Sequence, residues 1–216
     1  MIRTKKRILN TMAVVACYIG IGCQGIACQS AGSFNDLAIS EENRTGDVIP
    51  LIDLKQGSTV ADLGAGGGYY TVKLARGVGE KGKVYAVDIS AESVNYIKEY
   101  SKKEGVSNVE AILADMDNSK LPEKSMDMVF VRNAFHDIQN RVVYFNKLKS
   151  VLKPDGRVVI IDYDPQKLGF FRKLAGHFIE EEMIVEEMKK AGYVVSKQIT
   201  VLKEQSCNIF IIEETL

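Results

Sequence analysis

The sequence predicts an α/β domain built on a doubly wound, mostly parallel seven-stranded sheet with a C-terminal antiparallel strand pair. Three observations carry that expectation. From about residue 59 onward, short apolar runs alternate with segments of helical spacing, the pattern of repeated βαβ units. The first run leads through an acid into a glycine loop, Val60-Ala61-Asp62-Leu63-Gly64-Ala65-Gly66-Gly67-Gly68, and the second, Val84-Tyr85-Ala86-Val87-Asp88, also closes on an acid. The last two runs are joined only by the polar turn 203–206, which is too short for a crossover and therefore implies an antiparallel pair.

Taken in order, residues 41–54 read as a leading helix behind a Ser/Gly-rich linker at 29–33. Its Val48, Ile49, Leu51, Ile52 and Leu54 are expected to cover the cleft beside the glycine loop. Residues 59–63 are the first strand, and a helix over 70–77 follows the loop. Residues 83–88 are the second strand. Ser90 is a suitable N-cap for a helix to about residue 104, with Glu92 in its first turn and Gly105 as its stop. Residues 109–113 and 126–131 are the third and fourth strands. A helix over 142–152 carries Tyr144, Leu148, Val151 and Leu152 at one-face spacing. Lys153-Pro154-Asp155-Gly156 reads as a turn before a fifth strand at 157–163. Ile184, Met188 and Ala191 mark the buried face of the next helix, which Gly192 ends, and 193–202 and 207–213 are the closing strands.

With 216 residues, 46% of them hydrophobic, the chain fits one domain with a sizeable core plus an N-terminal extension. Its 28 basic and 28 acidic residues cancel, which disfavours an extended nucleic-acid partner. Cys17, Cys23 and Cys28 crowd into the first segment and Cys207 stands alone, with no C-x-x-C pair, so neither a metal site nor a disulfide framework is expected. Cys207 reads as a small apolar strand residue.

Arg3, Lys5, Lys6 and Arg7 precede an uncharged stretch whose apolar part spans 8–27. A basic flank followed by an apolar run is the pattern of a signal peptide or signal anchor. Val14-Val15-Ala16-Cys17 is similar to a lipoprotein cleavage box. Residues 1–33 are accordingly expected to direct membrane association or export, and 34–216 to form the functional domain. If the segment has no such role, the protein is cytoplasmic.

The glycine spacing decides between nucleoside ligands. A dinucleotide loop needs G-x-G-x-x-G/A so that pyrophosphate can rest on the helix N-terminus. Counting from Gly64, the sixth position is Tyr69, and the loop reads D-x-G-x-G-x-G instead. A carboxylate before the first glycine repels pyrophosphate but suits an ammonium group. That favours S-adenosylmethionine (SAM), which carries an amino-acid headgroup and no phosphate.

Four segments, VADLGAGGGYYTVKLA (60–75), GKVYAVDIS (82–90), LADMDNSKLPEKSMDMVFVRNAFHDI (113–138) and LKPDGRVVIIDYD (152–164), together resemble the class I SAM-dependent methyltransferases of the type 11 or methyltransferase-domain group. The resemblance implies the strand order 3-2-1-4-5-7-6. It also implies that Asp62 with Gly64, Ala65, Gly66 and Gly68 holds the methionyl part of SAM. Asp88 holds the ribose, Asp115 with Met116 faces the adenine, and Ile89 and Asn133 complete the cofactor set.

The acceptor is expected to be a small apolar or aromatic molecule. His136, following the fourth strand, is the candidate general base, to be oriented by Asp137 or another acid. His177, with Phe170, Phe171 and Phe178 around it, falls where an acceptor lid would form. Two other readings stay open on the residues: a SAM or nucleoside binder without transferase activity, and an NAD(P)-linked oxidoreductase, which Tyr69 argues against.

Overall fold

A computed structural model describes residues 30–169 and 176–213. The N-terminal segment, with Cys17, Cys23 and Cys28, and Phe170 and Phe171 of the expected lid lie outside the described residues. No helix among those described is long and apolar enough to cross a membrane.

The strands are β1 (Thr59–Leu63), β2 (Lys83–Asp88), β3 (Val109–Leu113), β4 (Met126–Arg132), β5 (Leu152–Tyr163), β6 (Tyr193–Gln198) and β7 (Gln205–Ile212). They form one sheet in the order β3-β2-β1-β4-β5-β7-β6. β1 pairs parallel with both β2 and β4, whereas β7 runs antiparallel to β5 and β6. The chain winds outward from β1 through β3, then returns to β4 on the other side of β1. The carboxyl ends of β1 and β4 therefore flank the topological switch point, where open α/β sheets bind ligands.

Helices cover both faces: α1 (Ala31–Thr45), α2 (Tyr69–Val78), α3 (Ala91–Lys103), α4 (Arg141–Leu148) and α5 (Glu181–Lys190). The alternation of side chains along a strand feeds two cores. In β4, Val129 and Val131 join one cluster with Phe135, Phe145 and Phe210, while Met128 and Phe130 join the other with Leu74 and Ile161. The cap of α3 forms as its sequence demands, the Ser90 hydroxyl accepting from the Ser93 amide. Cys207 is fully buried in β7, and burial pushes its thiol up to about 12, so it is an inert packing group.

Two elements differ most from the sequence expectation, and the last connection is displaced from 203–206, with β6 ending at Gln198 and β7 starting at Gln205. The leading helix starts ten residues earlier than position 41. Ser30 caps it by accepting from the Ser33 amide, so part of the stretch read as linker is its first turn. The helix stops at Gly46, and only a short 3-10 turn, Ile49–Leu51, follows. Val48 and Ile52 consequently pack fully buried in the core rather than over the cleft. The residues over the cleft are Phe34, Asn35, Leu37, Ala38 and Glu41. The second difference is at Lys153-Pro154-Asp155-Gly156, which lies within β5. Leu152 already pairs with Met126, and the register shift before Arg157 pairs with Met128 absorbs the turn-forming residues as a bulge. On the same chain segment, α4 ends at Leu148 and Lys149–Val151 tightens into a 3-10 turn.

Candidate active site

A cavity of about 740 Å³ opens at the carboxyl ends of β1, β2 and β4 under α1. The glycine loop forms its floor. Gly64, Gly66 and Gly68 all have positive φ, which folds the loop back on itself and passes the chain into α2. The Gly64 and Ala65 amides donate to the Val87 carbonyl, tying the loop to β2. Gly67 has another role: a Cβ there would fall 2.2 Å from the Ala31 carbonyl oxygen and 2.3 Å from Asn35 Oδ1. Only glycine lets α1 lie this close to the loop. Asn35 Oδ1 accepts from the Tyr69 amide at 3.0 Å and so links α1 to the first turn of α2.

The two acids of the sequence motif reach this floor in different states. Asp62 is 3% exposed and accepts from the Thr71 hydroxyl at 2.6 Å. Burial, reinforced by the Asp88 charge and opposed by Thr71 and Arg132, pushes its carboxyl up to about 7. It is a buried acid in need of a cation. Asp88 accepts from the Gly66 amide at 2.8 Å and the Ser90 amide at 2.9 Å. Burial raises its carboxyl too, and the backbone donors partly offset that rise.

Behind the floor lies a polar network that joins α1 to β4, β5 and β7. Glu41, 1% exposed, pairs with Arg132 at 2.9 Å, and accepts from Asn133 Nδ2 at 2.9 Å and from the Tyr163 hydroxyl. Gln205 Nε2 donates to Asn133 Oδ1 at 2.6 Å, and the Arg132 guanidinium lies 4.4 Å from the centre of the Tyr70 ring. Asn133 holds φ +51 here, a left-handed conformation that asparagine tolerates better than most residues. Three buried donors of cavity-lining residues have no hydrogen-bond partner among the described residues: Asn35 Nδ2, the Tyr70 hydroxyl and Arg132 Nε. Buried polar groups are seldom left unpaired. A zwitterionic amino-acid headgroup answers both needs, an ammonium for Asp62 and a carboxylate for such donors. The residues present therefore fit SAM.

The Phe135–Asp137 turn after β4 brings His136 into the lining of the same cavity. Its Nδ1 lies 2.9 and 3.0 Å from the two carboxylate oxygens of Asp162, which is fully buried at the end of β5. A carboxylate can only accept, so Nδ1 carries the proton and Nε2 is the open ring nitrogen. Asp162 is itself oriented by the His136 and Tyr163 amides. Burial opposes protonation of His136, but the Asp162 hydrogen bond and charge outweigh it and raise the imidazole pKa. The orienting acid, expected as Asp137 or another, is thus Asp162, while Asp137 sits beside Nε2 at 3.5 Å and is exposed.

Of the residues expected from sequence, Asp62, Gly64, Ala65, Gly66, Asp88, Ile89, Asp115, Met116, Asn133 and His136 all line this one cavity. Gly68 stands just behind it as the left-handed residue at the start of α2. Asp115 is exposed and its carboxylate is held by Lys120 at 2.9 Å. The Asn133 side chain is committed at both ends to the buried network. His177 also lines the cavity, its ring centre 5.6 Å from that of His136, while Phe178 is half-buried outside the lining. Sequence reading missed Asn35, Glu41, Gly67 and Asp162. The acid closing Ile160-Ile161-Asp162 is the same signal that marked Asp88, and it was available for Asp162.

A switch-point cavity with a glycine floor, a buried acid for an ammonium and a second acid at the end of β2 defines a nucleoside-binding α/β enzyme of the SAM-dependent methyltransferase class. The chain belongs to the methyltransferase-domain family, whose model matches residues 54–211. It is similar to the crystal structure of a SAM-dependent methyltransferase from Aquifex aeolicus, with 30% identity and a TM-score of 0.75 over 84% of this chain and 98% of that one. Among curated proteins, it is 33% identical to (S)-coclaurine N-methyltransferase of Thalictrum flavum over half of this chain and 29% of that protein. It is 29% identical to a ubiquinone/menaquinone biosynthesis C-methyltransferase of Vibrio vulnificus, over half of this chain and 42% of that one. The chain thus spans less than half the length of these two relatives. Their names place the transferred methyl on nitrogen in one case and carbon in the other.

Proposed function

We propose that this SAM-dependent methyltransferase acts on a small apolar or aromatic acceptor, with Asp62 and Asp88 holding the cofactor and His136 facing the acceptor. The observation that carries this reading is the continuity of one cavity, from the glycine floor to the His136–Asp162 pair. SAM supplies a methyl group already activated by its sulfonium, so alignment and exclusion of water do much of the work. Asp62 would anchor the methionyl ammonium, and Asp88, held in place by the Gly66 and Ser90 amides, would accept from the ribose hydroxyls. His136 takes the acceptor proton at Nε2 while Nδ1–H stays on Asp162. With SAM bound, the acceptor lone pair would form the new bond to the methyl carbon, and the carbon–sulfur pair would remain on sulfur as a neutral thioether.

The test is methyl transfer from tritium-labelled SAM by the full chain to a panel of small phenols, quinols and amines. Transfer to one class, with S-adenosylhomocysteine as co-product, supports the reading. SAM binding with all label left on the cofactor across the panel would instead indicate a binder that does not transfer. We also propose that the basic flank and apolar run of residues 3–27 bring the domain to a membrane. Fractionation of the full chain beside a form lacking residues 1–29 checks this, since equal recovery of both in the soluble fraction would refute it.

A further inference from the structure

The chain has only two histidines, and both arrive at the same mouth of the cavity, their ring centres 5.6 Å apart. Asp137 stands beside them. One ligand atom from each of His136, Asp137 and His177 can be chosen so that all lie within 4.8 Å of one another. Among the described residues this is the one such group of metal-ligating side chains. We propose that it binds a divalent transition metal of the zinc type, leaving one coordination position open toward the cavity for an oxygen donor of the acceptor.

Ligand chemistry supports the assignment. Two imidazoles and one carboxylate form a set used by zinc and by non-haem iron, and sites with three protein ligands keep a position for an exogenous group. The support behind His136 matches what such a ligand requires. A metal-bound histidine almost always gives its other ring N–H to a carboxylate or carbonyl, which fixes the tautomer and directs the lone pair at the ion. Asp162 does this at 2.9 Å from complete burial, and two backbone amides fix its own orientation. A tetrahedral ion with nitrogen ligands at about 2.0–2.1 Å sets its donor atoms about 3.3 Å apart. His136 Nε2 and Asp137 already stand 3.5 Å apart, so the group closes with a movement of up to about 1.5 Å at the exposed His177. His136, with its side chain 10% exposed, is the fixed point.

The inference rests on the methyltransferase reading and revises one part of it. A metal held through Nε2 leaves no lone pair there for a proton. With the ion bound, an acceptor hydroxyl coordinated at the open position becomes more acidic and releases its proton to solvent. Its oxygen then forms the bond to the methyl carbon as the carbon–sulfur pair returns to sulfur. The acceptor class is then a hydroxyl compound.

The probe is cobalt(II) alone, added to the full chain prepared without a polyhistidine tag and followed by visible absorption and calorimetry. The expected result is saturable binding of one ion per chain, competed by zinc. His177→Ala should weaken it at least tenfold, and Asp162→Asn, which touches no metal, about 10–100-fold. SAM titration of each variant shows whether the fold survives. If Asp162→Asn does not fold, the His177→Ala comparison decides alone. Absence of saturable uptake, or uptake unchanged in His136→Ala/His177→Ala, overturns the proposal. In either case SAM binding by the wild-type chain reports separately on the methyltransferase reading.

Discussion

Asp62→Asn is expected to make the cofactor-free protein more stable while weakening its hold on SAM. The carboxyl titrates at 3.8 in an unfolded chain and is pushed up to about 7 by burial. At 1.36 kcal/mol per pH unit, a rise of about three units corresponds to about 4 kcal/mol as an upper bound. The sign follows from proton counts. Between about pH 4 and pH 7, the folded protein keeps a proton that the unfolded chain has released, so stability falls as pH rises and levels off above about 7. Asparagine has no proton to lose and removes that slope. The variant should match wild type near pH 4 and exceed it near pH 8 by about 1–4 kcal/mol, the lower figure allowing for water entry and relaxation. The methionyl ammonium favours the charged carboxylate, so wild-type affinity for SAM should rise through about pH 7. Loss of that charged contact costs about 1.5–3 kcal/mol, roughly ten- to a hundredfold in Kd. Urea unfolding of both proteins across this pH range, with calorimetric SAM titrations, reads all of these quantities. Equal pH slopes, or a variant less stable than wild type near pH 8, would refute the claim that Asp62 is a buried acid awaiting a cation.

Three further outcomes are expected. Gly67→Ala places a Cβ 2.2 Å from the Ala31 carbonyl, so it should cost about 1–3 kcal/mol by overpacking and lower SAM affinity. Faster hydrogen exchange confined to residues 31–45 would show that α1 has been lifted, and unchanged exchange there would refute the contact. Glu41→Gln strands the buried Arg132 guanidinium and should destabilise by about 3–5 kcal/mol, read as a lower urea midpoint at unchanged slope. His136→Ala should lower kcat by about 10²–10⁴-fold with the SAM Kd unaltered, measured once an acceptor is in hand. An unchanged kcat would return this histidine to a purely structural role.

The floor of the site was legible in the sequence because its parts are contiguous. Asp62 and its glycines follow one strand and Asp88 ends the next, and strand period and glycine spacing are local properties. The antiparallel ending was legible for the same reason, since so short a connection, six residues between Gln198 and Gln205, permits no crossover. What the sequence could not show is which distant residues these strand ends face. Glu41 meets Arg132 across 91 positions, and Asp162 meets the His136 ring across 26. The packing of α1 over the glycine loop brings the first pair together, and the pairing of β4 with β5 the second.

The leading helix was misread for a related reason. Asn35 and Glu41 are polar residues that look exposed, yet both are buried against partners supplied by the glycine loop and by β4. Hydrophobic spacing marks burial by apolar contact and is silent about burial by paired charges. The apolar run at 48–54 therefore drew the helix toward itself, whereas Ser30 and Gly46 set its ends. Tertiary structure alone brought His177 to His136, because the path of the chain after β5 decides where the second histidine arrives.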